Sequence, residues 1–105
     1  MTAKARELSI DAAFEVLADR YRRGIIRRLR ASGGTATIDQ LVDSVLEEVD
    51  TTASPGPQVV RVRLHHVHIP KLRDVGLVEW DADSGAVHYR PHELVEELLA
   101  VCRSA

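Results

Sequence analysis

Apolar residues recur along the chain at helical spacing in five stretches, and as two short β-type runs around a turn. Ser9 is placed to cap a helix from about Ile10 to Ala18, with Ile10, Phe14 and Leu17 as its apolar stripe. Asp19 offers a second cap, and Tyr21, Ile25, Ile26 and Leu29 give residues 20–31 an apolar face that Ser32-Gly33-Gly34 ends. Thr35-Ala36-Thr37 has room for a short strand, and Thr37 with Gln40 forms a capping box for a helix carrying Leu41, Val42, Val45, Leu46 and Val49. The run from Asp50 to Gln58 is turn-forming, and Pro57 suits the first position of the next helix.

That next helix, about 58–75, is expected to bury Val62, His65, Ile69 and Leu72 and to turn Arg63, His66, Val67 and Pro70 outward. Pro70 deprives the carbonyl of His66 of its amide partner and should bend the helix, which Gly76 ends. Residues 77–81 and 86–90 flank Asp83-Ser84-Gly85 and predict a β-hairpin, which Thr35–Thr37 can join as a third strand. A last helix within 92–103 carries Leu94, Val95, Leu98, Leu99, Val101 and Cys102 on a broad apolar face. The expected fold is therefore mainly α with a small antiparallel sheet, a winged helix-turn-helix spanning 9–105 behind a disordered tail at 1–8.

Composition narrows what such a domain does. At 105 residues the chain suits one domain, and with 45% hydrophobic but 4% aromatic residues its core rests on Val, Leu and Ile. No run is long and apolar enough for a membrane span and the N-terminus has no signal-peptide pattern, so a cytoplasmic protein is expected. The single Cys102 excludes an intrachain disulfide and a cysteine-based zinc site. There is no glycine-rich phosphate loop, no carboxylate pair in an apolar setting and no nucleophile with a base, so neither an enzyme nor a cofactor is expected. Five histidines (His65, His66, His68, His88 and His92) raise metal binding, with His65 and His68 three apart on one helix. Thiolates are lacking and His65 falls on the expected buried face, so no metal is predicted.

The net charge is −2, yet the charges are segregated. Between Asp19 and Asp39 there is no acid but six arginines, Arg20, Arg22, Arg23, Arg27, Arg28 and Arg30. Between Asp50 and Asp74 there is again none, against Arg61, Arg63, Lys71 and Arg73. Either these stretches form a local basic face for phosphates, or they are solvated faces whose long side chains cover the core. Twelve Arg against two Lys, with abundant acid, fit a high-GC and salt-adapted source.

The stretch His66-Val67-His68-Ile69-Pro70-Lys71-Leu72-Arg73-Asp74-Val75-Gly76-Leu77-Val78-Glu79-Trp80 resembles the end of the recognition helix and first wing strand of arsenic-repressor-like winged-helix regulators. Leu17 to Leu29 resembles the second helix of that superfamily, and Ile38-Asp39-Gln40-Leu41 the start of its third. The His-x-His-Ile-Pro-Lys-Leu version is similar to small winged-helix domains of halophilic archaea. The resemblance implies a transcriptional regulator binding double-stranded DNA, with 38–49 as positioning helix and 58–75 in the major groove. It implies Gln58, Arg61 and Arg63 near base edges, Arg63 suited to guanine and Gln58 to adenine. His66, Lys71 and the Arg22/Arg23 pair are suited to phosphates. It further implies a homodimer through the terminal helices; no small-molecule ligand is evident. Glu79, Asp81 and Asp83 make the wing acidic, with Arg90 only at its base, so the wing is not expected to enter a minor groove. The alternative is a protein-interaction module without DNA binding. Acids of the third helix tying up Arg61, Arg63 and His66 would favour it.

Overall fold

The computed structural model describes residues 8–48 and 56–103. The expected tail over 1–7, Val49, most of the connection that follows it, and the side chain of Cys102 lie outside the described residues. The elements run α1 (Ile10–Leu17), α2 (Arg20–Ala31), β1 (Thr35–Thr37), α3 (Ile38–Glu48), α4 (Pro57–Arg63), a π-helical turn (Leu64–His68), α5 (Ile69–Asp74), β2 (Val78–Asp81), β3 (Ala86–Tyr89) and α6 (Glu93–Arg103). This is a mainly helical domain with one three-stranded antiparallel sheet in a winged-helix arrangement.

Each boundary has a local cause. The Ser9 hydroxyl accepts from the Ala12 amide at 3.0 Å, and the Asp19 carboxylate from that of Tyr21 at 2.7 Å. Thr37 and Gln40 exchange both capping-box bonds, at 3.0 and 3.2 Å. Two helices end in Schellman motifs built on left-handed glycines. Gly33, at φ +78°, lets the Gly34 amide reach the Leu29 carbonyl at 2.7 Å. Gly76, at φ +80°, lets Leu77 reach Leu72 at 3.0 Å, which turns the chain straight into β2.

The sheet order is β1-β3-β2, with Thr35 opposite His88 and Val78 opposite Tyr89. Ala36, Val78, Val87 and Tyr89 turn inward onto a core of Ile25, Ile26, Leu29, Leu41, Val45, Leu64 and Leu72. Val95 and Leu99 bring α6 onto the same core. The Tyr89 hydroxyl donates to Glu96, which also pairs with Arg30, so β3, α2 and α6 are tied at one point. Burial first, and then the Glu96 carboxylate, push the Tyr89 phenol well above its ordinary value.

Two expected faces are corrected. In α1 the buried residues are Ala13, Val16 and Leu17, whereas Ile10 and Phe14 stand 59% and 56% exposed. The helix has apolar side chains on two flanks, and the core takes the one with the smaller residues. Leu8, assigned to the tail, packs against the core, and Val101 is exposed on α6.

The second correction concerns residues 57–74. Val62 and His65 are exposed, and the buried line is Val60, Leu64, His68, Ile69 and Leu72. At the π-turn the Ile69 amide bonds to the Leu64 carbonyl, five residues back. Pro70 follows directly, with no amide for the His66 carbonyl and a ring that crowds it, and one wider turn relieves both. The extra residue rotates everything before it. A uniform helical wheel therefore picks Ile69 and Leu72 correctly and slips off Val60 and Leu64.

Candidate nucleic-acid interface

Residues 57–68 stand proud of the domain. From Gly56 to Val67 only Val60 and Leu64 are buried, and every other residue of that run is exposed. The exposed surface carries Gln58, Arg61, Arg63, His65 and His66 among Val59, Val62 and Val67, and no acid. Helix α3 packs beneath it, as the positioning helix of a helix-turn-helix does.

The cations of this surface differ in their engagement. Arg61 forms an ion pair with Asp39 of α3, and both side chains are largely open to water. Lys71 pairs with Glu15 of α1 at 2.8 Å, and that contact holds the Glu15 carboxyl below its ordinary range. Arg63 lies over Tyr21, its Nη1 donating to the phenol oxygen at 3.2 Å and its guanidinium carbon 5.9 Å from the ring centre. His65 and Val62, assigned to the core by the uniform wheel, join the outer surface, where His65 meets Trp80 edge-on at 5.7 Å. The signal that locates them is Pro70, read as the cause of a register shift and not only of a bend.

Arg22 does not belong to this surface. It is 7% exposed, and its guanidinium is spent on the end of α1. Nε donates to the Val16 carbonyl at 2.8 Å and Nη2 to that of Glu15 at 2.9 Å. Arg23 does the same more peripherally, its Nη1 reaching the Leu17 carbonyl at 2.8 Å. The last carbonyls of a helix lack intrahelical partners and carry the negative end of its dipole, so two arginines just across the turn serve as a C-terminal cap. The expected phosphate contact by Arg22 is thereby corrected, and Arg23 is engaged within the fold.

Arg22 also reaches His68, Nη1 to Nδ1 at 3.2 Å. A guanidinium only donates, so Nδ1 is the acceptor and the imidazole carries its proton on Nε2. Burial lowers the proton affinity of His68, Arg22 and Arg63 add to that, and Asp19 opposes it. The Tyr21 ring packs on His68 with centres 4.9 Å apart. Tyr21, Arg22, Arg63 and His68 thus form one polar cluster joining α1, α2 and the π-turn.

The remaining histidines are engaged in local structure. His88 and Thr35 hydrogen bond across the sheet at 2.9 Å, and His92 Nδ1 accepts the Leu94 amide at the start of α6. His65 and His68 face opposite ways, and among the described residues no three of His, Cys, Asp and Glu gather as metal ligands would. The hairpin tip keeps its acids: Glu79 pairs with Arg90, and bonds from Ser84 and the Asp83 amide hold the Asp81 carboxyl below its usual range. No described helix is long and apolar enough to cross a membrane.

The sequence profile of one protein family matches residues 14–88. The chain belongs to DUF7344, a domain family of unknown function. The DUF7344 match spans α2, α3, the whole bent helix and nearly all of the hairpin, and it stops before α6. The exposed surface at 57–68 therefore lies wholly inside the DUF7344 region. No curated protein and no solved structure matches the chain.

Proposed function

We propose that this protein is a cytoplasmic, non-enzymatic transcriptional regulator that binds double-stranded DNA through residues 57–68. The observation that carries the reading is the exposure of that helix, acid-free and held to the domain by the buried side chains of Val60, Leu64 and His68. Helices placed on the core bury a broad stripe. One that offers most of its circumference to solvent, with a positioning helix beneath, has the shape a major groove accepts. The sequence likeness to arsenic-repressor-like regulators supports the same reading.

Gln58 and Arg63 are the base-reading candidates; Arg61, His65, His66 and Lys71 suit backbone contacts. The ion pairs of Arg61 and Lys71 lie in water, where such contacts contribute about 0–1 kcal/mol, so phosphate can replace the carboxylate. Ile10, Phe14 and Val101 expose apolar surface on the terminal helices, which supports the proposed homodimer. Light scattering checks it, a monomeric mass at all concentrations being the adverse outcome.

A second reading has its own observation. Val59, Val62 and Val67 are 44%, 56% and 50% exposed on the same helix, and Arg61 is paired to an acid of α3. That combination favours docking of a protein partner on this surface. Fluorescence anisotropy with random-sequence duplex at about 50 and 200 mM salt separates the two, since each phosphate contact steepens the salt dependence. Under the DNA reading, binding weakens steeply with salt, and Arg61→Ala weakens it and lowers the salt slope by about one contact. Salt-insensitive or absent binding by the wild type rejects the DNA reading.

A further inference from the structure

We infer that Tyr21 is a positioning residue, which aims Arg63 at a base edge from inside the domain and so sets sequence discrimination. The inference rests on the DNA-binding reading above. Arg63 is the one cation of the exposed helix that leans on a buried aromatic: Tyr21 is 8% exposed and belongs to α2, 42 residues away in sequence. The phenol oxygen takes one N–H of the guanidinium, whose carbon lies 5.9 Å from the ring centre. Five donors belong to that fork, so most stay available for a bidentate pair with the O6 and N7 of guanine.

Tyr21 is itself held from behind. Its ring packs on His68, His68 accepts from Arg22, and Arg22 is bonded to the Val16 and Glu15 carbonyls. The chain of contacts runs from the end of α1 to the outer surface and passes through Val16, Arg22, His68 and Tyr21, all four buried, before it reaches Arg63. A long arginine on an exposed helix ordinarily loses side-chain entropy when it binds a base. An arginine already seated on a fixed ring loses less of it, and its alternatives are restricted. Arg61, by contrast, has a partner in open solvent and no buried seat. The two arginines of the same helix thus differ in kind, one suited to charge and one to recognition.

Tyr21→Phe tests this, because it keeps the ring and its contact with His68 and removes only the acceptor. A preferred duplex is first selected from a random library with the wild-type protein, and a variant duplex then replaces each G·C pair of the site in turn. For the wild type, one such replacement weakens binding by about tenfold or more. For Tyr21→Phe, the discrimination at that pair shrinks by about threefold, the size of one lost hydrogen bond, while affinity for unrelated duplex and its salt dependence stay as they were. In the Arg63→Ala background, Tyr21→Phe has no further effect on discrimination, since the two act as one unit. Undiminished discrimination in Tyr21→Phe, or an equal loss of specific and unrelated binding, overturns the inference and leaves the DNA reading standing. Failure of the wild type to bind any duplex overturns both.

Discussion

Residues 20–31 and 57–73 are alike in composition, each helical, rich in arginine and free of Asp and Glu, yet their charges are used in opposite ways. In α2, Arg22 and Arg23 turn back to the end of α1, Arg28 bonds Ser32 and Ser44, and Arg30 pairs with Glu96. In the exposed helix, Arg61 and Arg63 stay at the surface. The difference lies in what surrounds each helix. Helix α2 begins three positions after α1 stops, so unpartnered carbonyls lie within reach of its first arginines. Residues 57–68 have α3 beneath them, touch α2 and Trp80 at one side and otherwise face solvent, and no helix end bonds their arginines. An acid-free stretch is a phosphate-binding face only where the fold itself does not consume the charge.

Among the arginines, the largest effect should come from breaking their inward use. Arg22→Ala strands the Val16 carbonyl and His68 Nδ1 in a buried setting, while the Glu15 carbonyl keeps the Ala18 amide. Each orphaned acceptor costs about 1 kcal/mol or more, so the domain should lose about 2 kcal/mol in a denaturant titration. A loss below about 1 kcal/mol would show that Arg22 is no more structural than the surface arginines. Arg23→Ala, half-buried with one carbonyl partner, should cost about 1 kcal/mol.

A second pair tests the register of the exposed helix. Leu64→Ala should cost about 3 kcal/mol, as for a fully buried leucine, and Val62→Ala less than about 0.5. The reverse ranking would restore the uniform helical wheel and remove the π-turn. This is also where the fold's legibility divides. Caps at Ser9, Asp19 and Thr37/Gln40, the stops at Gly33 and Gly76 and the hairpin around Gly85 are local chemistry, and they stand in the sequence with their partners a few residues away. Proline marked the anomaly in the long helix, but whether a helix answers with a bend alone or with an extra residue is decided by which side chains then meet the core. The fate of Arg22 was hidden for a different reason: its histidine partner is 46 residues away, and the two meet only once the fold brings α2 to the π-turn. Of the outward positions, Arg63 and His66 were legible from periodicity, whereas Gln58 and Arg61 were named by the family resemblance and not by the wheel, which also misplaced Val62 and His65.

The buried cluster gives the inward region a pH signature that exposed cations lack. His68 is held below its ordinary value of 6.5, by burial first and by Arg22 and Arg63, against Asp19. The unfolded chain therefore takes up this proton at higher pH than the folded one. Stability that is fully present above about pH 6.5 is lost as pH falls from there through the folded value. Denaturation midpoints measured from pH 8 to 5 should fall, and His68→Asn, which offers Arg22 an acceptor but does not titrate, should show a shallower decline. Parallel profiles for the two proteins would take His68 out of the buried network.

The smallest effect on stability is expected at Arg61, and it bears most directly on the outward region. Its side chain and that of Asp39 are 47% and 75% exposed, so Arg61→Ala should change stability by no more than about 0.5 kcal/mol. Removing the acid instead makes the two readings of this surface diverge. Asp39→Ala frees Arg61 and takes a carboxylate away from an approaching phosphate, so under the DNA reading duplex affinity rises, by about threefold, while stability stays within the same limit. A protein partner that used the Arg61–Asp39 pair as a joint polar contact would instead be weakened by either substitution. Anisotropy titrations of Arg61→Ala and Asp39→Ala against one duplex should therefore move in opposite directions. Movement in the same direction, or none in either, would mean that the charge left outward by the fold is not what this helix uses.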